Sequence, residues 1–142
     1  MEKELSTVVR VRFSDCDPIG HLNNVKYLEY MLNAREDHVE SGYGFTYEEY
    51  TRKTGCTWIT VQNEIAYLKE VRYNAKVQIS SKTIEIGDRL SKVEILMKSE
   101  VTNSDVSSLI LSCSNQGNYL IRRLFSNQYS QFSNKHKIQI IL

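Results

Sequence analysis

The sequence predicts an α+β fold in which one long helix packs against an antiparallel sheet of about five strands. The period-two alternation of a strand appears first, at Thr7–Phe13, and an amphipathic helical pattern starts at Asn24. Further alternating segments follow from Trp58 onward, as is typical of an antiparallel meander. The helix must bury its apolar stripe, and one face of the sheet is the surface available for it.

The first strand is predicted by alternation along Thr7–Phe13. Its apolar residues Val9, Val11 and Phe13 alternate with two arginines. This spacing places the apolar side chains on one face, as in a half-buried strand. We therefore expect a strand that ends at Phe13, next to a polar segment.

The main helix is predicted from Asn24 because apolar residues recur there at helical spacing. Either Asn23 or Asn24 is the expected N-cap, and Gly42 is the expected residue after the helix, which would end near Ser41. His38 would then lie in the last turn, where its charged form suits the helix dipole.

A second, short helix and a series of strands are predicted after the main helix. Thr46 and Glu49 have the spacing of a capping box, and Gly55 ends the helical pattern. In the strand Trp58–Leu68, one face is expected to carry Ile59, Val61, Ile65 and Tyr67. Further strands are expected at Ala75–Ile86, Leu90–Val101 and 107–120, with turns at Gly87–Asp88 and Asn103–Asp105.

The face of the sheet away from the helix is expected to be completed by a second subunit. It mixes polar residues with Trp58 and Leu96. A sheet with one helix layer leaves its other face and its edges unpaired, and a second copy can cover them. We therefore predict a homodimer at least.

The composition is typical of a soluble globular protein and predicts a single domain over residues 1–142. The chain is 41% hydrophobic and 25% charged, with a formal net charge of +1. Scattered basic residues give no reason to expect a nucleic-acid partner. Without a signal core or a membrane-length apolar run, the chain is expected to have no membrane partner and a cytoplasmic location. Cys16, Cys56 and Cys113 form no CxxC pair and are expected as thiols.

The segment Phe13–Tyr27 is the candidate active site, because it concentrates carboxylates, an imidazole and carboxamides between the strand and the helix. A carboxylate can activate water or attack a carbonyl, while N–H groups at a helix start hold the oxyanion. Asp17 is predicted for this role. Pro18 favours an extended backbone at Asp17, and Gly20 allows the backbone to approach a ligand closely.

Several residues of this segment have a structural role as their alternative. Asp15 is expected to brace the turn more than to act directly. Asn23 and Asn24 either cap the helix or contact substrate. His21 is expected to belong to the active site. Tyr27 either orients the catalytic carboxylate or packs at the helix start.

A metal site in this segment is not expected. Its potential ligands crowd one turn and lack the separated pairs that are typical of zinc sites. Cys16 lies between two aspartates, whose charge opposes a reactive thiolate.

The same segment resembles the signature of hotdog-fold acyl thioesterases of the 4-hydroxybenzoyl-CoA thioesterase type. Members of that family have a Phe-x-Asp-x-Asp turn followed by glycine, and their fatty acyl-CoA and acyl-ACP relatives continue with His-x-Asn-Asn-x-x-Tyr. The residues here are Phe13, Asp15, Asp17, Gly20, His21, Asn23, Asn24 and Tyr27. The order of predicted elements is similar over about residues 5–103.

The resemblance implies hydrolysis of an acyl-CoA, or less often an acyl-ACP, with no metal and no organic cofactor. It implies a hotdog fold, homodimers that can pair as dimers of dimers, and active sites at the subunit interface. Asp17 would be the catalytic carboxylate, and the N–H of Asn24 would polarise the thioester carbonyl. His21 and Asn23 would be its polar partners, and Asn63 would contribute from the region that faces the other subunit.

Two features differ from the family pattern. Lys69–Tyr73 contains no proline, and residues 107–142 lack the expected final strand and Lys-Pro ending. Within the tail, Ser126–Asn134 is polar and of low complexity, and Ile138–Ile140 resumes alternation. The atypical C-terminal region keeps a second function open, that of a non-catalytic protein that binds acyl thioesters.

Overall fold

The computed structural model describes residues 4–117, which form two helices and one five-stranded sheet. The elements are β1 (Leu5–Arg10), a 3-10 turn (Phe13–Asp15), α1 (Asn24–Tyr43), α2 (Tyr47–Thr54), β2 (Cys56–Tyr67), β3 (Lys76–Ile86), β4 (Leu90–Ser99) and β5 (Asp105–Gly117). The predicted α+β class is confirmed. The tail features at Ser126–Asn134 and Ile138–Ile140 lie outside the described residues.

All the strands pair antiparallel, in the order β1-β3-β4-β5-β2. Within residues 4–117, β1 and β2 are therefore the two edges. Along β4, the buried Val93, Ile95 and Met97 alternate with the partly exposed Glu94 and Leu96. We call the buried side of the sheet the inner face and the opposite side the outer face.

The helix α1 packs on the inner face, against β1, β3, β4 and β5. Its residues Met31 and Ala34 belong to one core cluster with Val77, Ile79 and Ile95 of the sheet. Burying an aliphatic side chain of this size stabilises the fold by roughly 1.5–3 kcal/mol. This cluster therefore fixes the position of α1 on the sheet.

The ends of α1 follow capping chemistry, but the helix is longer than predicted. The side chain of Asn23 accepts a hydrogen bond from the N–H of Val25 and caps the N-terminus. The helix runs for 20 residues and ends at Gly44, whose φ of 77° is left-handed. Gly42 was expected to end the helix, which is wrong. A Cβ at Gly42 would overlap the side chain of Leu5, so this glycine allows β1 to approach the helix.

The capping box predicted for α2 is present. Thr46 accepts a hydrogen bond from the N–H of Glu49 at 3.2 Å, and the Glu49 carboxylate accepts one from the N–H of Thr46 at 3.0 Å. The helix ends before Gly55, as predicted. Tyr50 and Phe45 belong to a second, smaller core cluster, which joins α2 to the end of α1 and the start of β2.

The first strand is shorter than predicted. β1 ends at Arg10, and Phe13 lies in the 3-10 turn, where it is 79% exposed. The chain leaves the sheet here because the carbonyl of Arg12 accepts the N–H of Asp15, at 3.1 Å. The alternation therefore continued past the end of the strand itself.

A bulge in β2 changes which side chains share a face. The register with β5 shifts after Thr60, leaving Val61 without a cross-strand partner. One extra residue reverses the alternation. Ile59 lies opposite Ser114 on the outer face, whereas Ile65 lies opposite Leu109 on the inner face. The prediction that they share one face is wrong, as is the assignment of Trp58 to the outer face, since Trp58 packs against the core.

The strand expected at 107–120 is present as β5, although its last three positions lie outside the described residues. The region after Val106 therefore contains a strand, contrary to what its difference from the family pattern suggested. β5 lies between β4 and β2 in the sheet. The buried Leu109, Leu111 and Cys113 alternate along its inner face. The serines and asparagines between them obscured this period in the sequence.

No helix among residues 4–117 is both long enough and apolar enough to cross a membrane.

A buried polar network joins α1 to β1 and β3. Arg35 donates to the hydroxyl of Ser81 at 3.1 Å and to that of Thr83 at 3.3 Å. The His38 ring contacts Ser81 at 2.7 Å and Thr7 at 3.0 Å. His38 is buried and lies one turn before the last turn of α1, so its predicted interaction with the helix dipole is wrong. Burial, and then the charge of Arg35, lower the pKa of His38.

The lowered pKa of His38 predicts a stability that depends on pH. Its ordinary value is 6.5, and the unfolded chain binds the proton more tightly than the folded one. The stabilisation is therefore complete above pH 6.5 and is lost as the pH falls toward the lowered pKa. Urea unfolding across this range should show the decline, and His38→Gln should flatten it. The same decline should persist in His21→Gln, and an unchanged slope in His38→Gln would refute the assignment.

Candidate active site

The polar segment folds into a closed loop between the 3-10 turn and α1. Cys16 and Leu22 form a β-bridge at its base, and the N–H of Asp17 donates to the carbonyl of His21 at 2.7 Å. A turn closes the tip, where the N–H of Gly20 donates to the carbonyl of Asp17 at 3.0 Å. The backbone itself therefore sets the conformation of this loop.

The residues of the turn suit its geometry. Asp17, Pro18, Ile19 and Gly20 occupy its four positions in order. Aspartate at the first position and proline at the second favour a type I turn. Gly20 has a φ of 83° and open space around its α-carbon, so its positive φ explains the glycine.

The loop is also fixed to the segment that precedes β3. The N–H of Leu22 donates to the carbonyl of Val71 at 2.7 Å, and the N–H of Tyr73 donates to the carbonyl of Gly20 at 3.2 Å. His21 forms a bridge with Arg72 between these two contacts. The candidate site thus rests on two separate parts of the chain.

The carboxylate of Asp17 is held through one oxygen. Its Oδ1 accepts the N–H of Ile19 at 3.1 Å and the N–H of His21 at 3.0 Å. Among residues 4–117, Oδ2 receives no hydrogen bond, and the side chain is partly exposed. The two hydrogen bonds to Oδ1 orient the carboxylate of Asp17. Oδ2 therefore stays available to water or a ligand.

The start of α1 offers one backbone donor. The side-chain oxygen of Asn23 accepts the N–H of Val25 at 3.1 Å, and the backbone carbonyl of Asn23 accepts the N–H of Lys26 at 2.8 Å. Within the described chain, the N–H of Asn24 has no acceptor. A donor at a helix N-terminus carries the positive end of the helix dipole, which favours a developing negative charge.

Asp15 braces the loop against α1. Its carboxylate accepts the hydroxyl of Tyr30 at 2.5 Å and lies 3.4 Å from the ammonium of Lys26. Its carbonyl accepts the N–H of Asn23 at 2.9 Å. The Tyr30 hydrogen bond, assisted by Lys26, lowers the pKa of Asp15, so the group stays ionised. Burial and the neighbouring aspartates raise the pKa of Cys16, which stays a thiol.

The ring of His21 points to a carboxylate other than Asp17. Its Nε2 lies 3.1 Å from Glu70, which also accepts from Arg72 at 2.9 Å. The backbone N–H of His21 therefore contacts Asp17, whereas the ring of His21 contacts Glu70. Glu70 is a residue of this region that the sequence did not indicate, since it lies about fifty positions from the loop.

Tyr27 packs under the loop and does not orient Asp17 with its hydroxyl. It is 3% exposed, donates to the carbonyl of Lys69 at 3.2 Å and accepts the N–H of Val71 at 3.1 Å. Of the two roles predicted for Tyr27, these contacts correspond to packing at the helix start. The hydroxyl instead positions the segment on which the loop rests.

A family model described as the thioesterase-like superfamily matches residues 11–115. This range includes the whole closed loop, α1 and nearly all of β5. The chain belongs to this superfamily. The resemblance seen in the sequence ends at about residue 103. The match extends past that point and includes most of β5. No curated protein sequence matches the chain.

Solved thioesterase structures share the hotdog fold of this superfamily member. A DHNA-CoA thioesterase from Staphylococcus aureus aligns with a TM-score of 0.73 at 18% identity, covering 92% of this chain and 89% of its own. A 1,4-dihydroxy-2-naphthoyl-CoA thioesterase from Synechocystis gives 0.73 at 9%, covering 81% and 83%. A probable thioesterase from Escherichia coli gives 0.72 at 18%, covering 81% and 84%. The superfamily and the fold together support thioester hydrolysis as the general activity.

Asn63 lies apart from the loop. It is exposed on β2, opposite Leu111, and therefore on the inner face. The helix α1 is displaced from this edge, since it packs mainly on the other strands. We call the space between α1 and the inner face of β2 the trough. At one end of it, the hydroxyl of Tyr67 donates to the carbonyl of Asn24 at 3.1 Å. The trough between α1 and β2 thus begins at the helix start.

At the other end of the trough is a cavity of about 350 Å³. Side chains of α1, α2 and β2 line it, among them Arg35, Tyr47 and Trp58. The sequence patterns did not indicate this cavity. In the sequence, Arg35 only shares the helical spacing of the apolar residues of α1, and the bulge in β2 determines which face carries Trp58.

The hydrogen bond between Tyr30 and Asp15 predicts the effect of removing one hydroxyl. Tyr30→Phe should lower the free energy of unfolding at pH 7 by about 1.5–3 kcal/mol, since the acceptor is ionised and mostly buried. It should also raise the pKa of Asp15, which an NMR titration can follow. The stabilisation exists above pH 3.8, the ordinary value, so the difference from the wild type should shrink below it.

The matched control is Tyr73→Phe, which removes a hydroxyl from a tyrosine that is 55% exposed. Equal stability of Tyr30→Phe and the wild type would show that Asp15 does not depend on this contact.

Proposed function

We propose that the chain hydrolyses an acyl-CoA to a free acid and the CoA thiol, with Asp17 and the N–H of Asn24 as the reacting groups. The observation that carries the proposal is the arrangement of Asp17. One carboxylate oxygen is anchored to two backbone N–H groups and the other is open, in a loop that leads directly into a helix start. That pair of features supplies a base or nucleophile and an oxyanion donor.

In the general-base form, Oδ2 of Asp17 removes a proton from water while the water oxygen bonds to the thioester carbonyl carbon. The carbonyl oxygen gains the negative charge and accepts the N–H of Asn24. When the intermediate collapses, the C–S bond breaks, its electron pair goes to sulfur, and the proton passes from Asp17 to the thiolate.

In the nucleophilic form, Oδ2 itself bonds to the carbonyl carbon and the thiolate leaves. Water then bonds to the acyl carbon of the mixed anhydride, the bond from that carbon to Oδ2 breaks and restores the carboxylate, and the proton that water releases goes to the thiolate. Both forms need the same open oxygen, so the geometry of Asp17 serves either.

The remaining site residues hold this geometry or contact the substrate. Asn23 caps α1 and so leaves the N–H of Asn24 available. His21, supported by Glu70, stands at the partly exposed side of the loop, where it can contact the thioester. Gly20 provides the turn, and Asn63 lines the trough along which an acyl group would extend.

Coenzyme A is the proposed carrier. The Staphylococcus aureus and Synechocystis neighbours are both described as thioesterases of CoA esters. An acyl-ACP is the alternative carrier, because the His21-to-Tyr27 sequence is similar to acyl-ACP thioesterases.

A homodimer formed through the edge strand β2, and not through the outer face as the sequence suggested, is proposed as the assembly. This edge strand exposes Ile59 at 49% and Val61 at 58%, and Leu68 just beyond it is 54% exposed. An exposed apolar edge is a template for pairing with a second strand. Two copies joined there would also cover the trough, and such dimers can pair further.

Asp17→Asn should reduce kcat for thiol release at least about a hundredfold, with a smaller change in KM. The asparagine oxygen can still accept the N–H groups of Ile19 and His21, so the loop should remain folded. Release of free thiol from a panel of short, medium, long and aromatic acyl-CoAs measures the effect.

The matched control is Asp15→Asn, which should cost stability and leave kcat within about tenfold of the wild type. Full activity in Asp17→Asn would eliminate the assigned role. Hydrolysis of acyl-ACP alone would identify the other carrier. Tight binding of acyl-CoA analogues without any turnover would identify a non-catalytic binding protein.

Val61→Lys should convert the dimer to a monomer, because it places a charge in the apolar edge of β2. Light scattering after gel filtration gives the mass in solution. Val8→Lys provides the control, since Val8 is 50% exposed on β1, the opposite edge. A dimer that survives Val61→Lys but not Val8→Lys would show that the interface lies on β1, contrary to the proposal.

A further inference from the structure

The cavity between α1, α2 and β2 has a buried floor and an exposed rim. Its volume is about 350 Å³, near the lower end of the range for small-molecule sites. The buried residues of the floor are Arg35, Val39, Phe45, Tyr50 and Leu111. The rim includes Leu32, Asn33 and Glu36, which are exposed. The floor is therefore apolar and aromatic apart from one guanidinium.

Arg35 places a positive charge where apolar side chains would suffice for a simple hydrocarbon pocket. The residue is 1% exposed, and guanidinium groups remain charged in proteins. Its hydrogen bonds to Ser81 and Thr83 fix its position on the inner face. The guanidinium, which also lies 5.7 Å from the centre of the Tyr43 ring, is thus held against β3 in a residue that lines the cavity.

Two further residues that line the same cavity carry hydrogen-bond donors. The indole N–H of Trp58 is buried and has no acceptor within the described chain. Indole N–H groups can only donate, and one buried without a partner costs free energy. Burial raises the pKa of Tyr47 to about 12, so its hydroxyl keeps its proton. The carboxylate of Glu36 opposes these donors from the exposed rim.

The cavity lies along the path that the proposed function gives to an acyl group. Asn24 and Arg35 are both on α1, and eleven residues of helix span about 16 Å. Side chains on a helix lean toward its N-terminus, which shortens the distance between the reacting carbonyl and the guanidinium. β2 runs along this stretch of α1, since Tyr67 contacts Asn24 while Trp58 and Arg35 line the cavity, and most residues of β2 between them are exposed.

We propose that the cavity binds the far end of the acyl group and selects acyl chains that end in a carboxylate. A carboxylate accepts hydrogen bonds only, and it would meet the donors of Trp58 and Tyr47 and the charge of Arg35. This inference rests on the proposed function, since it assigns the substrate class of the same site.

The test is a binding measurement that needs no turnover. Three non-hydrolysable thioether analogues of CoA, with chains of equal length ending in a methyl, a hydroxyl or a carboxylate, are titrated into the intact protein. Trp58 is the single tryptophan of the chain, so its fluorescence reports on the cavity. The carboxylate-ended analogue should bind at least about tenfold more tightly than the methyl-ended one and should change the Trp58 emission.

Tyr47→Phe should reduce that preference at least about threefold. The control is Ser91→Ala, which also removes a buried hydroxyl without a hydrogen-bond partner among the described residues but does not line the cavity. It should leave the preference unchanged. Arg35 itself is part of the core, so its substitution is not needed for the test.

Equal or tighter binding of the methyl-ended or hydroxyl-ended analogue would overturn the inference, as would calorimetric saturation without a change in Trp58 emission. Absence of thiol release from every acyl-CoA would instead count against the proposed hydrolysis and would leave the binding preference to stand or fall by itself.

Discussion

The closure of the loop at 16–22 is the constraint on which the candidate site depends. Backbone hydrogen bonds within the loop, and from it to Val71 and Tyr73, fix the direction of the Asp17 carboxylate without using its second oxygen. The same loop delivers the chain into α1, where the Asn23 cap leaves one N–H without an acceptor among the described residues. A rigid turn followed at once by a helix start thus supplies the two kinds of group, a carboxylate and a backbone donor, that the proposed reaction needs.

The displacement of α1 from β2 is the second constraint. Buried contacts of α1 with β3, including the polar network around Arg35, hold the helix toward the β1 side of the sheet. The inner face of β2 is left partly open, and the strand is an edge with exposed apolar residues. One cause, the position of the helix, therefore accounts for both the trough and the surface that we propose for a second copy.

Local signals allowed much of the fold to be predicted, and long-range packing decided the rest. The Thr46 capping box and the alternation of β4 depend on neighbouring residues, so they were readable in the sequence. The position of Gly42 suggests a helix end, whereas the structure needs glycine there because a Cβ would overlap the side chain of Leu5. Within the candidate site, the turn at Asp17 followed from its residue types, whereas Glu70 and the Arg35 cavity depend on contacts between distant segments.

The central claim is that Asp17 and the N–H of Asn24 act on the same carbonyl. A crystal structure of the protein with an acyl-CoA analogue, in which a methylene replaces the thioester sulfur, tests it most directly. The ketone oxygen should lie within hydrogen-bonding distance of the N–H of Asn24, with Oδ2 of Asp17 facing the carbonyl carbon or a water beside it. A ketone bound away from the helix start, or an Asp17 that faces away from it, would contradict the account.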